Sequence, residues 1–405
     1  MMHGRNKQVL LHLALTPNMG PATLLAIMRG LYYKQHPDVL DITWSDIMQA
    51  YAQLPLEQIY DYTVQDFVQV GIKAVQADLL VQGLRDRNVL DEELALIAKH
   101  QITLLTPFED AYPELLKQIH HPPVVLYAAG KLDQQFDKCI AMVGSRKATA
   151  YAERVIGELV PSLVERGWTI ASGGADGADT MAHRATLQAR GSTIAVLGSG
   201  LLKPYPAGNS LLFDQIAAQG GLVMSPFPLR MPPDRGHFPM RNRIIAGLSL
   251  GCVVLQAAQR SGALITANFA LEQGRQIFAV PGLVHDELSA GCHYLIRQGA
   301  ALVTTVNDIL EEFGESSTVA AVEQLSFIPA QKAVSMHGGN AQAVAAKQVQ
   351  PKITPALFDN AQGPMSFDDL LAASGMQADV LQDYLFTLQL EGKVRQNFAG
   401  IWQLI

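Results

Sequence analysis

Short apolar runs alternate with longer amphipathic stretches along the central part of the chain, residues 138–313. The apolar runs end in glycine or small residues and read IAMVG, WTIASGG, STIAVLGSG, GLVMSPFP, LGCVVLQAA, QIFAVPG and ALVTTV. The stretches between them have the length and spacing of helices. Strands of this kind are typical of a parallel sheet that helices cover on both faces. The pattern therefore predicts an α/β fold with a Rossmann-like, doubly wound, mostly parallel sheet.

Two more predicted strands, ITLLT and PPVVLYAAG, extend this Rossmann-like domain to residues 94–313. Before it, residues 8–31 indicate helix, turn and helix, and Pro21 suits a first helical position. We expect an N-terminal helical domain over residues 1–93, similar to SAM or helix-hairpin-helix domains. The Asn-Met-Gly-Pro turn resembles a helix-hairpin-helix turn, whose amides can hold a DNA phosphate. The acidic balance of this segment instead favours packing or protein contact.

The last part of the chain first loses and then regains a regular pattern. Residues 314–351 are rich in Ala, Gln, Ser and Val and are interpreted as a flexible linker. Residues 352–405 indicate helix, turn, helix and β-hairpin, which is the pattern of a winged helix. The expected recognition helix, residues 378–390, carries two aspartates and no basic residue. This favours a protein-contact or regulatory module, with a DNA reader as the alternative.

Charge is distributed unevenly along the 405 residues, which carry a net charge of −7. Residues 1–137 carry 10 basic and 16 acidic side chains, whereas residues 138–313 carry 15 basic and 13 acidic ones. A local basic groove is therefore expected in the central segment. The three cysteines are widely spaced, which indicates neither a zinc site nor a disulfide framework and favours a reduced, cytoplasmic protein. The longest uncharged apolar run, 244–255, is well short of the ~20 residues that a membrane span needs.

Polar residues follow the ends of the predicted strands, where ligands bind in doubly wound folds. A glycine-rich turn that opens a helix presents free backbone N–H groups to phosphate, and arginine matches phosphate geometry. The candidate site residues that share this setting are Gly144, Ser145, Arg146, Lys147, Gly173, Gly174, Lys203, Arg241, Asn242, Arg243, Ser261 and Thr266.

Each charged candidate also has a structural alternative. Arg146 suits a surface salt bridge, Arg241 and Arg243 flank a helix start and could be structural, and Lys203 suits a solvated loop. Asp179 and His183 are four residues apart on a predicted helix and share a face. Acidic residues in a first helical turn are ordinarily caps, so we favour the structural role over a metal or acid–base site.

Several motifs of catalysis are missing from the sequence. It contains no GxxxxGK[ST], HExxH or GxGxxG pattern, and no set of nucleophile, base and orienting group emerges from the spacing. We therefore expect no enzymatic activity, no cofactor and no metal.

Six stretches of the central domain, in this order, resemble the DprA/Smf family of DNA-processing proteins. They read VGSRKAT, SGGADGADTMAH, TIAVLGSGLLKPYPAGN, FPMRNRIIAGLS, SGALITA and FAVPG, and they fall within roughly residues 100–313. The resemblance implies a non-enzymatic protein that binds single-stranded DNA and loads the RecA recombinase onto it in natural transformation. It also implies a homodimer formed through the central domain.

The resemblance assigns roles to individual residues as well. Arg146 matches the arginine of the family's Gly-Ser-Arg turn and would contact DNA phosphate. The residues that would line the same pocket are Gly144, Ser145, Gly173, Gly174, Arg241 and Arg243. Gln256 stands where the family usually has a glutamate, which leaves the ordering of the pocket open. The loop aromatics available for base stacking are Tyr205, Phe227 and Phe238.

Two other classes of protein are considered. Rossmann-like nucleotide N-glycosidases place a phosphate at a similar turn, but their Pro-Gly-Gly-Gly-Thr signature fails here, because Leu283 and Val284 follow Pro281-Gly282. A winged-helix transcription regulator with a sensory Rossmann domain is disfavoured by the acidic recognition helix.

Overall fold

A nine-stranded sheet organises the first of two units, Met1–Ala321 and Val322–Ile405. The computed structural model describes residues 2–17, 19–39, 43–132, 136–315, 370, 381, 385, 394–396 and 402–404. In chain order, the strands of the sheet are β1 Thr103–Leu105, β2 Leu126–Gly130, β3 Cys139–Val143, β4 Thr169–Ser172, β5 Thr193–Val196, β6 Leu222–Ser225, β7 Gly251–Val254, β8 Gln276–Ala279 and β9 Ala301–Leu302.

The spatial order of the strands is β1-β2-β6-β5-β4-β3-β7-β8-β9. The pairs β1–β2 and β2–β6 are antiparallel, and the remaining pairs are parallel. From β3 the chain proceeds outward on one side to β6 and then returns to β7 on the other side of β3. The α/β, Rossmann-like and mostly parallel architecture predicted from the sequence is confirmed.

Helices cover the sheet and form most of residues 2–99. They are α1 Met2–Leu15, α2 Pro21–Gln35, α3 Trp44–Ala50, α4 Val64–Gln69, α5 Ala74–Arg85, α6 Arg87–Lys99, α7 Glu114–Lys117, α8 Ala150–Glu165, α9 Ala178–Gln188, α10 Ser210–Ala218, α11 His237–Gly247, α12 Gly262–Glu272, α13 Ala290–Arg297 and α14 Val306–Leu310. None of the helices found in the described residues has the length and apolar character needed to cross a membrane.

The central strand β3 is buried along its whole length because both of its faces are covered. Successive strand residues point to opposite faces. Ala141 and Val143 belong to a core cluster that includes residues of α11 and α12, whereas Ile140 and Met142 belong to a cluster with α8 and α9. The uninterrupted apolar run of the sequence thus supplies two cores at once.

The N-terminal helices share a core with one edge of the sheet. Their apolar residues form one cluster with Leu104, Val125 and Tyr127 of the sheet region and with Leu229 from the loop after β6. Pro21 occupies the start of α2, as predicted, with Gly20 at the N-cap. Helix α6 runs continuously through the predicted domain boundary between residues 93 and 94.

The second unit contains a β-hairpin near the end of the chain. Its strands are β10 Val394–Gln396 and β11 Trp402–Leu404, which pair antiparallel. Leu381 and Leu385, which fall within the expected recognition helix, are helical and buried. Most of the predicted linker and of the two predicted helices lies outside the described residues, so the winged helix stays a prediction.

Candidate nucleic-acid interface

A pocket of about 410 Å³ opens where the parallel strands β3 and β7 end. Val143 and Gly144 line it from the β3 side, and Ala258 and Gly262 line it from the β7 side. The chain continues from β3 to β4 on one side of this strand pair and from β7 to β8 on the other side. Such a switch point creates a crevice at the carboxyl ends of the strands, which is where open α/β sheets bind ligands. We call it the switch pocket.

The switch pocket gathers most of the candidate residues from the sequence. Those in its wall are Gly144, Ser145, Arg146, Lys147, Arg241, Asn242, Ser261 and Thr266. Arg260 adds a further cation, while Asp179 and Glu287 are the carboxylates of the lining. Arg146, Lys147 and Arg260 are exposed. The side chains free to meet a ligand at this rim are therefore mainly cationic.

The turn after β3 is held by backbone contacts on its inner side. Ser145 N donates to Gln256 O at 2.7 Å, and Lys147 N donates to Ser145 Oγ at 3.0 Å. A Cβ on Gly144 would lie 2.7 Å from the Cβ of Ala178, so glycine permits this close approach. Gln256 Oε1 also accepts from Thr149 N at 2.9 Å, so the glutamine anchors the start of α8.

The turn after β4 differs from the expectation of a second open phosphate nest. The Asp179 carboxylate accepts from Gly173 N at 3.1 Å and from Ala175 N at 3.3 Å. These two amides therefore already have an internal anion as their partner. Burial raises the pKa of Asp179, and the nearby charge of Arg241 opposes this shift. Neither Gly173 nor Gly174 lies in the wall of the switch pocket.

Arg241 contributes its charge from beneath the surface. Only 5% of the residue is exposed, and its guanidinium donates to Gly173 O and to Val196 O. Burial lowers the pKa of Arg241 to about 10, so the side chain stays cationic at neutral pH. It therefore fixes the turn after β4 and also adds positive potential to the pocket floor.

Arg243 and Lys203 do not join the other candidates in the switch pocket. Arg243 lies on α11 with Arg241, but its guanidinium donates to the carbonyls of His120 and His121. It lines a separate cavity with those histidines and with the N-terminal end of α2. These contacts hold Arg243 to the segment that follows α7. Lys203 is exposed in the loop after β5.

Aromatic rings lie beside the arginine of the first turn. The Arg146 guanidinium carbon is 5.4 Å from the centre of the Phe238 ring, and the Tyr205 ring lies 5.7 Å from that of Phe238. Tyr205 is 41% exposed. The third candidate, Phe227, is buried and stacked on His237, so it offers no open face to a base.

Asp179 and His183 serve separate structural roles. His183 is fully buried, and its Nδ1 lies 2.7 Å from Thr193 Oγ1. Within the described residues, no group of His, Cys, Asp and Glu side chains is arranged to hold a metal ion.

Glu287 and Leu288 are among the residues of the pocket wall that sequence reasoning missed. They follow β8 and reach the pocket from the far side of β7. The signal that could have identified them is the strand-end rule itself, because all parallel strands deliver their following loops to one edge of the sheet.

Comparison with known proteins places this arrangement in a family. The model of the family "DNA recombination-mediator protein A" matches residues 103–314. DNA processing protein DprA of Bacillus subtilis is 41% identical over 227 residues, which is 56% of this chain and 76% of that protein. DNA processing protein DprA of Streptococcus pneumoniae is 45% identical over 205 residues, which is 51% of this chain and 72% of that protein.

A solved structure agrees with these matches. The X-ray structure of DNA processing protein A from Streptococcus pneumoniae superposes with a TM-score of 0.60 at 33% identity. The superposition covers 75% of this chain and 97% of that chain. The chain therefore belongs to the DNA recombination-mediator protein A family, the DprA/Smf family.

Proposed function

We propose that this protein binds single-stranded DNA without regard to sequence and loads the RecA recombinase onto it during natural transformation and DNA uptake. The observation that carries the proposal is the cluster of Arg146, Lys147, Arg241 and Arg260 around the switch pocket. Arginine and lysine side chains hold the phosphate backbone, which is the same at every nucleotide. Binding through this cluster needs no contact to base edges.

The aromatic rings beside the pocket support a single strand over a duplex. Tyr205 and Phe238 lie within stacking distance of each other and next to Arg146. An aromatic ring can stack only on a base that is free of its own stack, and every base offers such a face. Single strands present these bases, whereas a duplex keeps them paired.

Recognition without catalysis is the second part of the proposal. Asp179, the buried carboxylate of the pocket, already accepts hydrogen bonds from two backbone amides. It is therefore poorly placed to take a proton from a water molecule. Release of free base from a nucleoside monophosphate would contradict this part and would favour the nucleotide N-glycosidase.

The decisive variant is Arg146→Glu. In a gel shift with labelled oligo-dT and the matching duplex at several salt concentrations, we expect wild type to prefer the single strand. Its affinity should fall with salt, with a slope of about −0.7 per phosphate contact. Arg146→Glu should weaken binding and flatten that slope by about one contact.

The matched control is Arg190→Glu, an equal charge reversal in the exposed segment that leads into β5, at the opposite edge of the sheet. It should leave affinity and slope unchanged. An unchanged slope for Arg146→Glu would remove Arg146 from the interface. Absence of single-strand binding by wild type at low salt would overturn the whole proposal.

RecA loading, the homodimer and a cytoplasmic location rest on the family resemblance. The three cysteines are free and buried, as a reducing compartment allows. RecA loading is tested by the rate at which RecA displaces a single-strand-binding protein from DNA with and without this protein. Light scattering of the purified chain tests the dimer.

A further inference from the structure

A second cavity, of about 790 Å³, adjoins the switch pocket. The two share Arg260, Ser261 and Gly262, which form the turn into α12. Beyond that turn the second cavity is bordered by Ile265 on α12 and Tyr294 on α13. We call it the side cavity. Any flexible ligand that fills the switch pocket can continue over this turn.

The side cavity has the surface chemistry of a nucleic-acid track. Tyr294 is 49% exposed and Ile265 is 40% exposed, so both present apolar area to solvent. Gln259 and Asn268 add polar groups that are exposed as well. Among the described residues of its lining, Arg260 carries the only charge, and no carboxylate would repel a phosphate.

Arg260 is positioned to serve both cavities. It is exposed and makes no salt bridge with any residue that the structure describes. Its charge is therefore not neutralised by a carboxylate of the fold. The neighbouring Ser261 Oγ is buried and has no hydrogen-bond partner within the described part of the chain. A cation and an unused hydroxyl thus lie at the junction of the two cavities.

We propose that single-stranded DNA held in the switch pocket continues across Arg260 into the side cavity, where the Tyr294 ring stacks on a base. This inference rests on the proposed function and extends it to a second subsite. An aromatic ring beside a basic groove is the usual construction of a single-strand track. Continuity with the switch pocket favours the same polynucleotide over a separate small molecule.

The test compares a short oligo-dT of about 4 nucleotides with a long one of about 16, the range of site sizes that single-strand binders cover. Tyr294→Ala should lower the affinity for the long strand by roughly 5- to 150-fold, which corresponds to the ~1–3 kcal/mol of one stacked base. The loss for the short strand should be much smaller, so the advantage of the long strand shrinks. Tyr294→Phe keeps the ring and should retain that advantage.

Two controls separate this inference from the proposed function. Leu271 on α12 is also exposed and apolar, but it does not line the side cavity. Leu271→Ala should therefore leave the affinities for the short and the long strand unchanged. Arg146→Glu should weaken both strand lengths, because both enter the switch pocket. If wild type binds both lengths, Arg146→Glu weakens both and Tyr294→Ala spares the long strand, the side cavity is not part of the track. A changed oligomeric state of Tyr294→Ala with an unchanged length advantage would also overturn it and would identify this face as a contact between copies.

Discussion

Arg241 and Arg243 stand two residues apart on α11 and have different surroundings. Residues at this spacing point to different sides of a helix. Arg241 reaches a carbonyl of the turn after β4 and a carbonyl of β5 under the switch pocket. Arg243 instead reaches the carbonyls of His120 and His121. The sequence indicates two arginines at a strand end, but it does not indicate which carbonyls they will find. Those partners come from segments far away in the chain.

At the same scale, buried His183 should make stability depend on pH. Burial lowers its pKa from 6.5 to about 3. As pH falls below 6.5, the unfolded chain binds a proton that the folded chain does not bind, so folding stability is lost. The slope approaches 1.36 kcal/mol per pH unit, or roughly 2 kcal/mol between about pH 7.5 and pH 5. Urea unfolding over this range measures the loss.

The variant His183→Gln should remove most of this pH dependence, whatever its effect on stability at neutral pH. Some dependence should remain, because burial also lowers the pKa of His12. The exposed His285→Gln is the matched control and should keep the wild-type profile. A profile for His183→Gln as steep as that of wild type would show that His183 is not the group responsible.

Among the elements, α6 connects the N-terminal helices to the loop that leads into α11. The carboxylate of Glu93 on α6 is buried and accepts a hydrogen bond from Leu229 N at 2.7 Å. Burial raises the pKa of Tyr127 on β2, and the nearby Glu93 carboxylate raises it further. One acidic side chain thereby joins helix α6, strand β2 and the loop before α11.

Glu93→Ala should loosen this loop. The Leu229 amide would lose its acceptor in a buried place, which costs about 1–3 kcal/mol. We expect a lower free energy of unfolding in urea and faster hydrogen exchange at Leu229. Glu93→Gln keeps an acceptor oxygen and should lose less. The exposed neighbour Glu92→Ala should stay within about 0.5 kcal/mol of wild type, and an equal loss there would argue against the contact.

Which strands and helices could be predicted from the sequence depends on how they are buried. The runs that became β3 to β8 were evident because both faces of each strand are covered, which leaves an uninterrupted apolar sequence. The antiparallel direction of β2 relative to β6 is not encoded in periodicity, since it depends on the connection. Helix α6 was missed because its acidic first half, LDEEL, masks a narrow apolar face that packs on α1.

On the scale of the whole molecule, the switch pocket is assembled from loops after β3, β4, β7 and β8 and from α11. The strand-end rule predicted most of its wall from the sequence, because parallel strands deliver their loops to one edge. The rule could not reveal that the Asp179 carboxylate occupies the amides of the turn after β4. That outcome depends on the distance between a carboxylate and two amides, which spacing along the chain does not determine.

Removal of the second unit should leave DNA binding intact. Every described residue of the switch pocket belongs to Met1–Ala321, and residues 352–405 carry 3 basic and 6 acidic side chains. A chain of residues 1–315 should therefore keep the affinity for oligo-dT and the salt slope of the full chain. The gel shift measures both, with circular dichroism as a check on folding. A large loss in the shortened chain would assign part of the DNA contact to residues 316–405.

The close packing of the turn after β3 against the turn after β4 affects how fast a ligand can bind. Ala178 N donates to Ser145 O at 3.1 Å, and a Cβ on Gly177 would lie 2.3 Å from that same oxygen. The turns are thus packed as one body before any ligand arrives. Under the proposed function, encounter with DNA then requires no slow rearrangement of these turns, and we expect diffusion and electrostatic steering to govern the association rate. Substitutions in these loops should therefore change the dissociation rate of the strand more than its association rate.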